Sequence, residues 1–441
     1  MNMKIHLKKD LIALAKAFKK HGADLFIVGG YIRNALLGFC ETDIDVCSKL
    51  KAEEIKSILN PAKYEVKMVN PKLGTVHIYV KNSSSFYEHT TFRAEQYQKG
   101  GAHSPTEVRF VDDIPLDASR RDFTINSIYY NILTGQMIDY YNGTSDTLNH
   151  ILRTVETPEY VFSRDGLRIL RLVRFSCELA FVIEDHTLAV AQKMVSQLKD
   201  VSQERFNKEI IAILFADYKY EFIHSPKAHI HGLKKLSSLH AWEYVLPAFT
   251  KIVGKENISK LYTQDWCKLL SNAQPALRIT AFVLDICRAL KIEPTLEIIN
   301  ALLGTGGLML NKKECLHQFA VLDAFTQSKQ ELSSDEQCRM FLQKHNKVIH
   351  ELIALFQLTH SGNKLLRNYT MIKTDNIPLS ISDLNINGND IMEVFPYFEK
   401  EYYSKILSSL LTLTAIMPEI NKKPILLREA EMLYNKIINR K

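Results

Sequence analysis

A chain of 441 residues is too long for one ordinary core, so about two to four domains are expected. Hydrophobic residues at 46% and charged residues at 24% exclude a disordered polyelectrolyte, and no apolar run approaches the roughly 18 residues of a membrane span. The net charge of +7 admits a polyanionic partner without requiring one, and seven scattered cysteines without a CxxC pair point to a reducing cytoplasm and away from a zinc module.

Residues 6–21 place Leu7, Leu11, Leu14, Ala15 and Phe18 at helical spacing, and Gly22 suits a left-handed cap. This start reads as a helix and not as a signal peptide. Residues 25–28 form a short apolar run stopped by Gly29-Gly30, the pattern of a buried strand entering a tight turn, and residues 31–37 return to helical spacing. Residues 42–47 alternate acidic and apolar positions, the period of a half-exposed strand. Further strands are predicted at 64–68, 75–80, 85–91, 107–110, 127–130 and 137–140, with a mobile loop at 96–105. Beyond about residue 145 strand signals stop and amphipathic helices take over, at 166–179, 186–198, 202–215, 295–303, 338–356 and 405–416.

Asp43 and Asp45 stand at i and i+2, so an extended backbone projects both carboxylates from one face, where they can chelate a divalent metal. Two acids on a strand are also an ordinary surface feature, and the pair gains weight only from its surroundings. Gly29-Gly30 with Arg33 one turn later forms a turn that offers backbone NH groups and a guanidinium, the donors that cradle a triphosphate. A plain strand-to-helix turn would use the same glycines. The short interval from Gly30 to Asp43 makes the two elements one site.

The run Gly29-Gly30-Tyr31-Ile32-Arg33-Asn34-Ala35-Leu36-Leu37-Gly38, followed by Asp43-Ile44-Asp45, resembles the first motif of class II tRNA nucleotidyltransferases. These are the CCA-adding enzymes and related bacterial poly(A) polymerases. Tyr87-Glu88-His89-Thr90-Thr91-Phe92-Arg93 resembles the family's next palm strand, which implies Glu88 as a third carboxylate. A buried structural glutamate would fit the same strand. Asp117 with Arg120-Arg121-Asp122-Phe123-Thr124-Ile125-Asn126 resembles the second motif, tied to ribose selection. Gly143, Asp146 and Arg153 resemble the third, a hinge.

Arg164-Asp165-Gly166-Leu167-Arg168 resembles the fourth motif, a helix that reads the incoming base on its Watson-Crick edge. Asp165 and Arg168 are expected on one helical face, with Arg171 and Arg174 continuing the stripe along a nucleotide cleft. A solvated helix face with an Asp165 to Arg168 pair is the plainer alternative. Ser202 to Glu209 resembles the fifth motif, and the tail run Ile386 to Met392 is similar to longer bacterial members. The family's aspartate is Asn34 here, its glutamate is Arg164, and Pro396-Tyr397-Phe398-Glu399 replaces a glycine turn.

The resemblance implies an α+β chain: a polymerase-β-type head with a mixed sheet at 1–140, then an all-helical neck (141–215), body (216–310) and tail (311–441). It also implies C and A addition to tRNA 3′ ends from CTP and ATP. Mg²⁺ would sit on Asp43 and Asp45. Gly29, Gly30, Arg33, Arg120, Arg121, Asp122 and Asn126 would bind triphosphate and ribose; Asp165, Arg168, Arg171 and Arg174 would bind the nucleotide. No membrane partner is expected.

Overall fold

The computed structural model describes residues 5, 7–39, 43–97, 105–220, 223, 225–263, 265–329 and 332–439. Most of the expected loop at 96–105, and Thr42 of the expected strand, lie outside them. Contacts gather the chain into two units, Met1–Gln264 with Thr305–Met309, and Asp265–Gly304 with Leu310–Lys441. The expected head and neck fall within the first and the tail within the second, while residues expected to form the body are divided between them.

In the first unit α1 (Lys9–Lys20) buries Leu11, Leu14, Ala15 and Phe18, the i, i+3, i+4, i+7 stripe that the sequence shows. That stripe covers one face of a seven-stranded sheet. Its strands are β1 (Phe26–Val28), β2 (Asp45–Ser48), β3 (Tyr64–Asn70), β4 (Thr75–Val80), β5 (Phe86–Thr91), β8 (Tyr129–Asn131) and β9 (Met137–Ile138), ordered β3-β4-β5-β2-β1-β8-β9. Within this sheet, among the described residues, only β2 and β5 pair in parallel. β6 (Arg93–Gln96) and β7 (Glu107–Phe110) form a separate antiparallel hairpin.

Helix α2 (Gly30–Leu36) follows β1, and α3 (Ala52–Ile58) joins α1 over Ile27, Val46, Ile78 and Tyr87. On the opposite face Phe26, Val28, Cys47, Phe92 and Tyr129 pack with Ala118 of α4 (Ile114–Ser119). That cover spans the β1, β2 and β8 end. Farther along, the face carrying Glu88 lies open, and Phe86 remains 41% exposed.

Helices α5 (Gly143–Leu148), α6 (Pro158–Arg164), α7 (Leu167–Glu178), α8 (Asp185–Lys193), α9 (Gln203–Leu214), α10 (Ala216–Lys219) and α11 (Ala228–Ser238) complete the arrangement around the site. α7 is their hub and packs against α6, α9, α10 and α11. The expectation that strands stop near residue 145 needs one correction. β10 (Ile151–Leu152) and β11 (Val182–Ile183) form a small parallel pair, too short for a period-2 pattern to register.

The second unit is helical among its described residues. Helix starts at Lys312, Asp335 and Gly388 carry capping boxes from Asn311 and Glu314, Ser334 and Gln337, and Asn387 and Asp390. The run expected as one helix over 338–356 is two, Asp335–Lys344 and Ile349–Leu358, separated by a 3-10 turn at Asn346–Val348. Apolar spacing continues across that turn, so periodicity alone misses the break. Where the tail departs from its expected glycine turn, Phe395 and Phe398 stack at 4.7 Å and Phe398 lies on Tyr434 at 3.8 Å. An aromatic core replaces a backbone device.

Gly143 shows how tightly α5 is set. A Cβ there would stand 2.1 Å from the Thr124 carbonyl oxygen. Gly143→Ala should therefore cost about 3 kcal/mol, since backbone must move. At Gly388 the nearest atom to a Cβ is 3.6 Å away, and Gly388→Ala should stay within about 1 kcal/mol. Thermal denaturation of both variants checks the contrast.

Candidate functional site

The site begins with a backbone device. Gly29 has φ 81° and ψ −142°, a conformation closed to residues with a Cβ, and it caps α2 as the chain leaves β1. A Cβ on Gly29 would stand 3.8 Å from Asp45 Oδ2, so the glycine turn and the second acid of the Asp43-Ile44-Asp45 run are immediate neighbours. Asp45 opens β2 with its side chain exposed, while Val46 and Cys47 turn into the two cores. Asp43, two residues earlier, is also exposed.

Asp45 is abreast of Glu88 in the parallel β2–β5 pairing, and residues in register share a sheet face. Glu88 is in turn abreast of His77 on β4, whose Nε2 lies 3.2 Å from Glu88 Oε2. Glu88 is thus on the exposed face beside Asp45, not a buried structural acid. Among the described residues no three His, Cys, Asp or Glu side chains form a ready cation cage. The acids present suit a cation completed by other oxygen donors, as magnesium is by water and phosphate.

Arg33 is placed differently from a residue facing a cleft. It is 2% exposed and donates from Nε to Asn34 Oδ1 (2.9 Å), from Nη1 to Asn126 Oδ1 (2.8 Å) and from Nη2 to Tyr220 Oη (3.0 Å). The amide nitrogen of Asn34 is buried with no hydrogen-bond partner among the described residues. Asn126 donates to Asp122 Oδ1 at 3.2 Å, and Asp122 Oδ2 accepts from Arg171 Nε at 2.8 Å and from its Nη2 at 2.6 Å. Burial alone would raise the Asp122 carboxyl; Arg171 and Arg168 outweigh it and hold it well below the usual carboxylate range.

Arg174 bonds Glu209 at 2.6 Å and Glu178 at 3.0 Å. The guanidinium carbons of Arg33, Arg171 and Arg174 lie 5.4, 5.1 and 4.2 Å from the centroid of the Phe175 ring. Arg171 and Arg174 of the expected stripe, joined by Arg33, are therefore gathered around one aromatic ring, with Asp122, Glu178 and Glu209 as their acids, while Arg168 lies apart. Glu209 and Tyr220, which complete this arrangement, were not identifiable as site residues by sequence, because their partners lie 35 and 187 positions away.

Asp165 and Arg168 do not share a helix. Asp165 has φ −150° and ψ 104°, which breaks the chain between α6 and α7. At the next residue a Cβ on Gly166 would stand 2.4 Å from the Gln197 carbonyl, so the segment around Gln197 presses directly on this junction. The intrahelical pair is absent as well. Asp165 is gripped by both ends of the Arg205 guanidinium, at 3.2 and 2.6 Å, while Arg168 donates to the carbonyls of Arg120 (2.6 Å) and Arg121 (3.3 Å).

Arg120 and Arg121 themselves turn inward. Asp117, 1% exposed, accepts from Arg120 Nε (2.8 Å), Arg121 Nη2 (3.0 Å) and the Tyr129 hydroxyl (2.6 Å). Glu95 joins them with Arg93 at 2.6 Å. Arg164 packs its guanidinium on Tyr160 at 4.3 Å and Tyr97 at 5.2 Å and donates to the Glu95 carbonyl.

Residues 25–153, which hold the glycine turn, the acids and the Asp117 network, match the model of the poly A polymerase head domain. That stretch of the chain is similar to the head domain of that family. A CCA-adding enzyme of Streptococcus agalactiae is 33% identical over 259 residues, 59% of this chain and 62% of that relative, so the match spans about three fifths of the relative's length. A CCA-adding enzyme of Ligilactobacillus salivarius is 27% identical over 98% of both chains. The crystal structure of the Bacillus stearothermophilus CCA-adding enzyme in complex with CTP superposes with a TM-score of 0.69 at 23% identity, covering 98% of this chain and all of that one. A Thermotoga maritima CCA-adding enzyme complexed with tRNA gives a TM-score of 0.64 at 18% identity over 97% of this chain and 96% of that one. These two structures establish the fold: a mixed-sheet head followed by a mostly helical remainder.

Asp117→Asn should cost about 3–5 kcal/mol near neutral pH, because it leaves buried guanidiniums without their acid. Burial raises the Asp117 carboxyl, but Arg120 and Arg121 outweigh this and hold it well below its ordinary 3.8. Its stabilisation is therefore complete above that value and is lost as pH falls through the lower folded value. Denaturant titrations should show the wild-type advantage over Asp117→Asn shrinking as pH drops from about 6 to about 3.

Proposed function

We propose that this chain adds C and A nucleotides to the 3′ end of tRNA without a nucleic-acid template, using CTP and ATP. The observation that carries the reading is the placement of Asp45 between the Gly29 turn and Glu88, 3.8 Å from the position a Gly29 Cβ would occupy. Phosphate donors and oxygen ligands then meet at one point of the sheet. The whole-length likeness to the L. salivarius relative supports the same reading.

Asp43 and Asp45 would hold Mg²⁺, and this donor set of hard oxygens fits that ion. When bound, a magnesium pair activates the attacking hydroxyl and neutralises the leaving pyrophosphate. Glu88 lies beside them, on the route by which a hydroxyl reaches Asp45. Backbone NH groups at Gly29 and Gly30 receive phosphate oxygens. Arg33, Asn126 and Asp122 hold that turn and the ribose side in place from within, and Arg171, about a third exposed, presents the accessible guanidinium of the stripe.

Asp165 and Arg168 choose the base by a different construction from one helical face. Arg205 fixes the Asp165 carboxylate as an acceptor. Three backbone carbonyls, those of Arg120, Arg121 and Val161, fix Arg168, leaving its other N–H groups as donors. Arg120 and Arg121 act beneath the nucleotide by setting the carbonyls that hold Arg168. Basic helices beyond residue 200 would meet the acceptor arm through its phosphates.

The head's match to a poly A polymerase model keeps a second reading in view, extension with A alone. Purified protein should be given tRNA transcripts lacking CCA, ending in CC or complete, with each nucleotide singly and together. Sequenced ends showing C-C-A on the shortest transcript support the main reading, and A on every transcript replaces it with the second. Asp43→Ala and Asp45→Ala should each lower incorporation at least about a thousandfold while tRNA affinity stays within about twofold.

A further inference from the structure

The face of the sheet beyond Glu88 has no role in the chemistry above, yet its composition is unusual for an exposed β-surface. In register from β2 to β3 run Asp45, Glu88, His77 and Lys67; the adjacent row holds Phe86, Tyr79 and Glu65. Neighbouring strands lie about 4.8 Å apart, so His77 is about 10 Å and Lys67 about 14 Å from Asp45 along that line. His77 meets Phe86 edge-on at 4.8 Å, Tyr79 and Phe86 are 5.3 Å apart, and the Lys67 ammonium sits 4.7 Å from the centroid of the Tyr79 ring. None of these aromatics belongs to the core on the opposite face, and Phe86 is 41% exposed.

The direction of the reaction gives this surface an occupant. In an in-line displacement the attacking and leaving oxygens stand on opposite sides of the phosphorus. The glycine turn that would hold the triphosphate lies on the β1 side of Asp45, so the RNA hydroxyl must arrive from the β5 side. The nucleotides behind it then pass over β5, β4 and β3. Single-stranded ends present unstacked bases, which aromatic side chains hold without sequence preference, and a lysine beside them meets the backbone. Among the described residues the ion-pair partner of Lys67 is Glu65, at 3.5 Å and with both side chains more than half exposed, a weak bond that a phosphate can displace.

We propose that His77, Tyr79 and Phe86, with Lys67, form a stacking platform for the last bases of the single-stranded RNA 3′ end. The proposal rests on the assignment of Asp43 and Asp45 as the metal site. Phe86 is the most exposed of the three rings and lies outside the core cluster.

Steady-state extension of tRNA lacking CCA by the full-length protein tests it. Phe86→Ala should raise the KM for RNA about tenfold, leave the KM for CTP within about twofold, and be rescued by Phe86→Trp; Lys67→Ala should raise the RNA KM and flatten its salt dependence. An unchanged RNA KM in Phe86→Ala would overturn the platform while the nucleotidyl transfer reading stands. A second arm does not depend on turnover: tRNA carrying 4-thiouridine in its unpaired 3′ segment is photocrosslinked to wild-type protein. Crosslinks at residues 77–86 support the platform even if no nucleotide is incorporated, and crosslinks confined to other segments overturn it.

Discussion

Burying a guanidinium requires an acceptor for its N–H groups and an acid for its charge, and much of the site follows from meeting that requirement several times over. Arg33, Arg120, Arg121, Arg168, Arg171 and Arg174 all sit in or beside the interior of the first unit. Their acceptors come from α2, the turn at Thr124–Asn126, α4, α7, α9 and the end of α10. Several of these bonds join elements distant in the chain, among them Arg33 to Asn126 and Tyr220, Arg171 to Asp122 and Arg174 to Glu209. The glycine turn is held to α7 and α9 through Arg33, Asn126, Asp122, Arg171 and Glu209 in succession. Moving any one of these would shift the backbone of the glycine turn.

This division of labour separates the groups that would touch substrate from those that hold them. Asp43, Asp45 and Glu88 are exposed or half-exposed. Asp117, Asp122 and Arg33 are almost wholly buried and are hydrogen-bonded to several side chains. A flexible acid is useful at a site that must admit metal and phosphate, whereas a buried acid between arginines gives rigidity to the frame behind it.

The sheet was legible because its strands alternate apolar and polar residues or form short apolar runs, and β4 and β7 have the very limits that periodicity predicts. The acids at 43 and 45 were legible as a local pattern, and the glycine turn gave them a setting. Pairings across the chain were not. Asp165 and Arg168 have helical spacing, but no spacing reveals that Arg205 holds one and three backbone carbonyls hold the other. Arg33 looked like a phosphate ligand because it follows the glycines by one turn; its burial depends on Tyr220, 187 residues on. The break at His345 was hidden by Val348 and Ile349, which continue the apolar period.

The parallel pairing of β2 with β5 has a kinetic consequence. Parallel neighbours cannot be joined by a tight turn, and here α3, β3 and β4 intervene between Asp45 and Glu88. Closing so long a loop is entropically slow, and the contact is rewarded only after the β3–β4 and β4–β5 hairpins are in place. The aspartate pair thus exists early as a feature of local sequence, while its partner acid comes alongside only as the sheet closes. Convergence of the three acids is therefore tied to completion of the head's folding, so a partly folded chain would not bring them to one edge of the sheet.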